Sequence, residues 1–162
     1  MKIKVVNGIG FGHTELSSFD SALKDSGVYN YNLIYLSSVI PENAEVEVLG
    51  KIFENTGKVG DRLYVVIAQE RSSIPGEAIG AALGWYQFGP EGGIFVEHHA
   101  KGVNPAVVKR KLEFLIEYSV RDLCVSRGIN YEKEKLNTNM AITVVENKPK
   151  CAIVLAVFEH QE

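Results

Sequence analysis

Apolar residues in this chain fall into short runs broken by glycine, proline and polar clusters, a pattern that predicts strands more often than helices. Lys2 to Val6 reads as a first strand. The residues after it, Asn7-Gly8-Ile9-Gly10-Phe11-Gly12, tolerate positive φ and predict a glycine-rich turn. Ser17 and Ser18 are placed to cap a short helix through Phe19, Ala22 and Leu23, with Asp20 in its first turn and Gly27 at its end. Asn32-Leu33-Ile34-Tyr35-Leu36-Ser37-Ser38-Val39-Ile40, closed by Pro41, is apolar on both alternating faces and predicts a largely buried strand.

Glu42 to Asp61 reads as loop-rich, and Leu63 to Ala68 as another buried strand. Ala78 to Tyr86 is open between helix, from its alanines, and strand, from the preceding Pro-Gly; strand is the preferred reading. Gly93 to His99 predicts a strand. Asn104-Pro105 supplies a cap and a first-turn proline for the longest helix, ending near Gly128, with Val108, Leu112, Leu115, Ile116 and Leu123 on its apolar face. Met140 to Val145 and Cys151 to Phe158 predict two closing strands, joined by a hairpin turn over residues 146–150. No internal repeat or linker divides the chain, so the pattern predicts one layered α+β domain.

Composition narrows the class. With 162 residues, 46% hydrophobic and 23% charged, the chain is long enough for one sizeable core. Its apolar runs are far shorter than the roughly 20 residues of a membrane-spanning helix, so no membrane partner is expected. No export signal is visible at the N-terminus, which places the protein in the cytoplasm. A net charge of −3 without a dense basic run leaves no footprint for nucleic acid. Cys124 and Cys151 are far apart in apolar surroundings and read as free buried thiols.

Three groups of residues bear chemistry. Serines at 37 and 38 interrupt an apolar run where an unpartnered buried hydroxyl costs about 1–3 kcal/mol; they either bond to neighbouring carbonyls or are needed as hydroxyls. Glu97 follows Ile94, Phe95 and Val96, which would desolvate its carboxyl group, although an isolated strand glutamate ordinarily faces water or a salt bridge. His98 and His99 are adjacent, so on a strand they face opposite sides and cannot readily converge on one metal ion. The Gly8-Ile9-Gly10-Phe11-Gly12 run lacks the spacing of a phosphate loop and reads as a backbone turn.

The segment from Asn32 through Ser37-Ser38 to Pro41 resembles the self-cleavage segment of pyruvoyl-dependent arginine decarboxylases: an asparagine, apolar residues, Ser-Ser, apolar residues and proline. The resemblance continues through Leu16-Ser17-Ser18-Phe19-Asp20-Ser21-Ala22-Leu23, Pro75-Gly76-Glu77 and Gly93-Ile94-Phe95-Val96-Glu97. It implies a four-layer αββα sandwich, cut between Ser37 and Ser38 into a β chain (1–37) and an α chain (38–162), with the processed αβ units forming a homotrimer. It also implies decarboxylation of L-arginine to agmatine and carbon dioxide through a Schiff base to a pyruvoyl group made from Ser38, with no metal or pyridoxal phosphate. A serine suits that cofactor because it supplies both an internal nucleophile and a β-oxygen leaving group.

In this likeness Glu97 falls on the proton donor and Asn32 on an orienting amide, which otherwise reads as a turn residue. Asp20 falls on the carboxylate that meets the guanidinium, otherwise a plain first-turn aspartate. Leu16, Tyr29, Tyr31, Ser37 and Val39 fall around the substrate pocket. His98-His99-Ala100 departs from the family's continuation after the glutamate, which leaves room for altered pH dependence or substrate choice. Two other readings remain open: the same chemistry on another cationic amino acid, and an unprocessed, non-catalytic trimeric homologue that binds a small cation or a protein.

Overall fold

A computed structural model of the chain describes residues 1–54 and 57–161, the last two as backbone only. Its elements run β1 (Lys2–Phe11), α1 (Glu15–Ser26), β2 (Asn32–Tyr35), β3 (Val39–Ile40), β4 (Glu45–Gly50), β5 (Arg62–Ser72), β6 (Ala78–Gln87), β7 (Gly93–Gly102), α2 (Pro105–Ser126), β8 (Asn137–Val144) and β9 (Lys150–Gln161). A single 3-10 turn over Lys133–Lys135 precedes β8.

Two sheets form. The first has the order β2-β5-β9-β1-β4 and the second β3-β7-β6-β8. In the first, β1 with β4 and β2 with β5 are parallel, while β9 runs antiparallel to both of its neighbours. The second is antiparallel throughout.

Alternation along the strands sorts the side chains into layers. Cys151, Ile153, Leu155 and Val157 of β9 turn toward Ala22 and Leu23 of α1. Ala152, Val154, Ala156 and Phe158 turn the other way, onto Ile79, Ala81, Leu83 and Phe95 of the second sheet. The outer face of that sheet, through Ala82, Tyr86 and Val96, packs under Val108, Leu112, Ile116 and Val120 of α2. The result is an α+β sandwich in the order α1, first sheet, second sheet, α2.

Several expectations hold. Asn104 accepts a hydrogen bond from the Val107 N–H and caps α2, with Pro105 in its first turn. Gly27 ends α1 at φ 87°, a left-handed conformation that favours glycine. Ala78 to Tyr86 lies within strand β6, and both cysteines are free and buried. Burial pushes the Cys151 thiol up to about 12, which leaves it inert.

Others are corrected. The glycine-rich stretch is not a turn, because β1 runs on to Phe11. A Cβ on Gly10 would lie 2.2 Å from the Ala22 nitrogen, so the glycine there serves close approach of α1. The cap of α1 is Thr14, which exchanges hydrogen bonds with Ser17, and Asp20 accordingly falls in the second turn. The segment from Glu42 to Asp61 contains β4, with residues 55 and 56 outside the described ones. Finally, β8 and β9 do not form a hairpin, since they lie in different sheets.

Candidate active site at a sheet crossover

The apolar run from Asn32 to Ile40 is not one buried strand. Its first half, β2, pairs with β5 at the edge of the first sheet. Its second half, β3, pairs with β7 at the edge of the second. Edge strands leave one side unpaired, and Ile34, Tyr35, Ser37 and Val39 are exposed. Leu36, Ser37 and Ser38 make the crossover. Leu36 N–H donates to the Val65 carbonyl at 2.9 Å, and Phe95 N–H donates to the Ser38 carbonyl at 2.8 Å. The Ser37–Ser38 peptide is therefore slung between the two sheets, fastened on either side.

Ser38 has φ 70°, a left-handed conformation that costs a residue bearing a Cβ on the order of 1–2 kcal/mol. Its support is rigid. Phe95 is 1% exposed and its ring packs against Trp85 and Phe158 at centroid distances of 6.0 and 6.1 Å; burying such a ring contributes about 2–3 kcal/mol. Two residues along the same face of β7, Glu97 meets the Ser38 hydroxyl, which donates to its carboxylate with Oγ–Oε distances of 2.8 and 3.0 Å. Glu97 is exposed, so its apolar neighbours in sequence do not shield it from water within one chain.

Ser38 and Glu97 lie in a cleft of about 400 Å³ lined also by Phe95, Val96, His98, Ser119, Asp122 and Leu123. Ser119, Asp122 and Leu123 come from one face of α2, spaced i, i+3, i+4. His98 points to the α2 side of β7, its Nε2 2.7 Å from Ser119 Oγ. His99 points the other way, to Glu70 at 2.7 Å, so the pair splits as the strand geometry requires. Burial holds His98 below the usual histidine value of 6.5; Glu97 opposes this shift and His99 reinforces it. Near neutral pH the imidazole is uncharged.

A family model described as pyruvoyl-dependent arginine decarboxylase matches residues 2–162. Relatives carrying that name include proteins from Thermococcus sibiricus, 33% identical over 90% of this chain and 87% of the relative, and Picrophilus torridus, 30% identical over 91% and 79%. A Halobacterium salinarum relative is 38% identical over 96 residues; this match spans 59% of the chain and 59% of the relative. The chain belongs to the pyruvoyl-dependent arginine decarboxylase family.

The family's cofactor is a covalently bound pyruvoyl group, and the residues here fit it. Ser38 would supply the carbon skeleton, and its hydroxyl is already engaged by the Glu97 carboxylate. Phe95 N–H would hold the carbonyl that links the group to Val39.

Other residues singled out from the sequence fall elsewhere in this chain. Asn32 is exposed at the start of β2 and donates to the Gly60 carbonyl at 2.8 Å. Leu16 and Asp20 lie one turn apart on the exposed face of α1, in the outer layer beyond the first sheet. Tyr31 accepts from Gly57 N–H and lines a different cavity with Lys2, Lys4 and Glu54, while Tyr29 lies under Lys24. None of these five lines the Ser38 cleft. Ser119 and Asp122 were missed, because nothing in a helix pattern marks which polar residues overhang a neighbouring strand.

Proposed function

We propose that this chain cuts its own backbone between Ser37 and Ser38, becomes a pyruvoyl enzyme, and decarboxylates L-arginine to agmatine and carbon dioxide in the cytoplasm. The observation that carries the reading is the Ser38 hydroxyl on the Glu97 carboxylate. A carboxylate in that place takes the hydroxyl proton as Oγ attacks the Ser37 carbonyl carbon. The Ser37–Ser38 C–N bond breaks, an ester bond forms, and the proton passes to the freed nitrogen. Loss of the Ser38 Cα hydrogen then expels the Ser37 carboxylate, and water replaces the remaining nitrogen, released as ammonia, to leave a ketone.

The crossover favours this sequence. Each flank of the scissile bond is anchored to its own sheet, so the nucleophile and its target stay close, which raises their effective concentration. A pyruvoyl ketone held at position 38 would supply the electron sink for decarboxylation, through a Schiff base to the substrate's α-amine. Glu97, on the same wall of the cleft, is the proton donor to the α-carbon.

Leu16, Asp20, Asn32, Tyr29 and Tyr31 join this chemistry only from a second copy of the chain, which supports a homotrimer with sites between subunits. Exposure of Tyr35 and Val39, at 59% and 58% beside the paired serines, supports burial of this edge in an assembly.

Denaturing mass analysis tests the reading, with and without arginine and cyanoborohydride. Two fragments meeting at Ser37/Ser38, the larger capturing arginine, are expected. Ser38→Ala should give one uncut, unreactive chain, since alanine has neither nucleophile nor leaving group; cleavage in that variant would sink the mechanism.

A further inference from the structure

We propose that Glu70 and His99 form a proton relay that recharges Glu97 after each turnover. This deepens the decarboxylase reading and rests on it. Phe95, Glu97, His99 and Lys101 share the face of β7 that turns toward the first sheet. Val66, Ala68 and Glu70 of β5 turn to meet it. Glu70 is set in the seam between the sheets, its side chain 14% exposed, and its Oε2 lies 2.7 Å from His99 Nδ1. The His99 ring is 65% exposed. Strand β2 covers β5 only as far as Val65, and β3 covers β7 only as far as Ile94. The row from Glu97 to Lys101 therefore lies along an open rim beside the crossover.

The reaction gives this pair its use. Decarboxylation exchanges carbon dioxide for one proton at the α-carbon, so a Glu97 that has donated is left as a carboxylate and must be reprotonated before the next substrate. His99 stands two residues along the same face, about 7 Å up the strand, a gap that side-chain reach and one water close. Glu70 holds Nδ1 and fixes the ring, which leaves Nε2, unpartnered among the described residues, to load a proton from solvent and pass it to Glu97. The imidazolium loses that proton as Glu97 gains it, and bulk water restores it, so nothing else is consumed. The charged groups around the ring are Glu70 of β5, Glu97 and Lys101 of β7 and, beyond Lys101, Glu77; His98 points to the opposite face, onto Ser119. Lys101 Nζ lies 3.9 Å from Glu70 as well, so the fold has a partner for this carboxylate without the histidine. His99 touches no reacting atom and acts only through Glu97.

The test compares processed wild type with His99→Gln and His99→Ala. Glutamine can still bond to Glu70 but carries no titrating proton, so a mere tether would survive in it and a relay would not. Both variants should self-cleave to completion, keep KM within about twofold and lose kcat about 10-fold or more. Added imidazole should restore kcat in His99→Ala and leave wild type unchanged. Wild-type kcat in His99→Gln, or a loss in His99→Ala that imidazole does not restore, overturns the proposal. Uncut Ser38→Ala protein supplies a readout free of arginine turnover, the NMR titration of the His99 ring. Its midpoint should fall by about half a pH unit when Glu97→Gln removes the neighbouring charge, and Glu113→Gln, on the exposed face of α2, should leave it unmoved. A midpoint indifferent to Glu97 overturns the relay. A midpoint that responds, in a protein whose wild type does not turn over arginine, upholds the coupling of the two groups and fails the decarboxylase assignment instead.

Discussion

The two outer layers begin from the same device and end differently. Under each helix runs a strand bearing two glycines: Gly8 and Gly10 of β1 beneath α1, Gly80 and Gly84 of β6 beneath α2. A Cβ at Gly10 would meet helix backbone, the Ala22 nitrogen at 2.2 Å and the Ser18 oxygen at 2.4 Å. A Cβ at Gly84 would meet only side chains, Ile116 Cγ2 at 2.3 Å and Val96 Cγ2 at 3.1 Å. Thus α1 lies backbone to backbone on its sheet, whereas α2 rests on branched side chains. The cleft opens along α2, where Ser119, Asp122 and Leu123 overhang Ser38 and Glu97. The flush layer turns Leu16 and Asp20 outward, where only another molecule can reach them. Close packing serves stability within one chain, and the propped layer carries the cleft in which the chemistry is proposed.

The largest effect that would break this division lies at Glu97. If the second sheet and α2 hold the processing chemistry, Glu97→Gln removes the proton acceptor without changing shape. Chain cleavage and arginine turnover should each fall about 10²- to 10⁴-fold, followed by timed denaturing gels and by carbon dioxide release from the processed fraction. Cleavage at the wild-type rate would move the proton-accepting role away from this carboxylate.

A smaller effect sharpens the contrast between the layers themselves. Gly10→Ala requires α1 to shift as a body and should cost about 3 kcal/mol or more, while Gly84→Ala asks only for rotamer changes at Ile116 and Val96 and should cost about 1–2 kcal/mol. Urea unfolding of the uncleaved Ser38→Ala background measures both. Equal losses would mean that the two helices are seated alike.

Much of this was legible in the sequence, for physical reasons. Asn104-Pro105 and Gly27 act through local backbone chemistry, so α2 and the end of α1 could be read directly. Ser38 and Glu97 were reached through a motif whose chemistry needs those side chains. What stayed hidden depends on partners remote in sequence. An apolar run such as Asn32 to Ile40 looks the same whether it stays in one sheet or crosses to another. Glycines that admit a helix, as at Gly8 and Gly10, have the signature of glycines that make a turn. In β4, Glu45-Val46-Glu47-Val48 alternates over too few residues to stand out from the loops around it.

The smallest expected effect concerns His98, which ties α2 to the strand carrying Glu97. Its burial favours the neutral ring, so the folded protein binds a proton there less readily than the unfolded chain, whose value is 6.5. The sign follows from linkage: between the lowered folded value and 6.5 the unfolded state holds more protons, so stability rises with pH. The contribution is fully present above 6.5 and is lost as pH falls below it toward the folded value. His99 on the same strand reinforces the shift and Glu97 opposes it, so the dependence belongs to the β7 and α2 side of the molecule. Replacing His98→Gln keeps a polar group near Ser119 Oγ but does not titrate. The urea midpoint of the wild type should drop more steeply than that of the variant as pH falls from 6.5. Identical slopes would mean that the imidazole already finds equal solvation in the folded state, and that the α2 side is no less wet than the exposed face of α1.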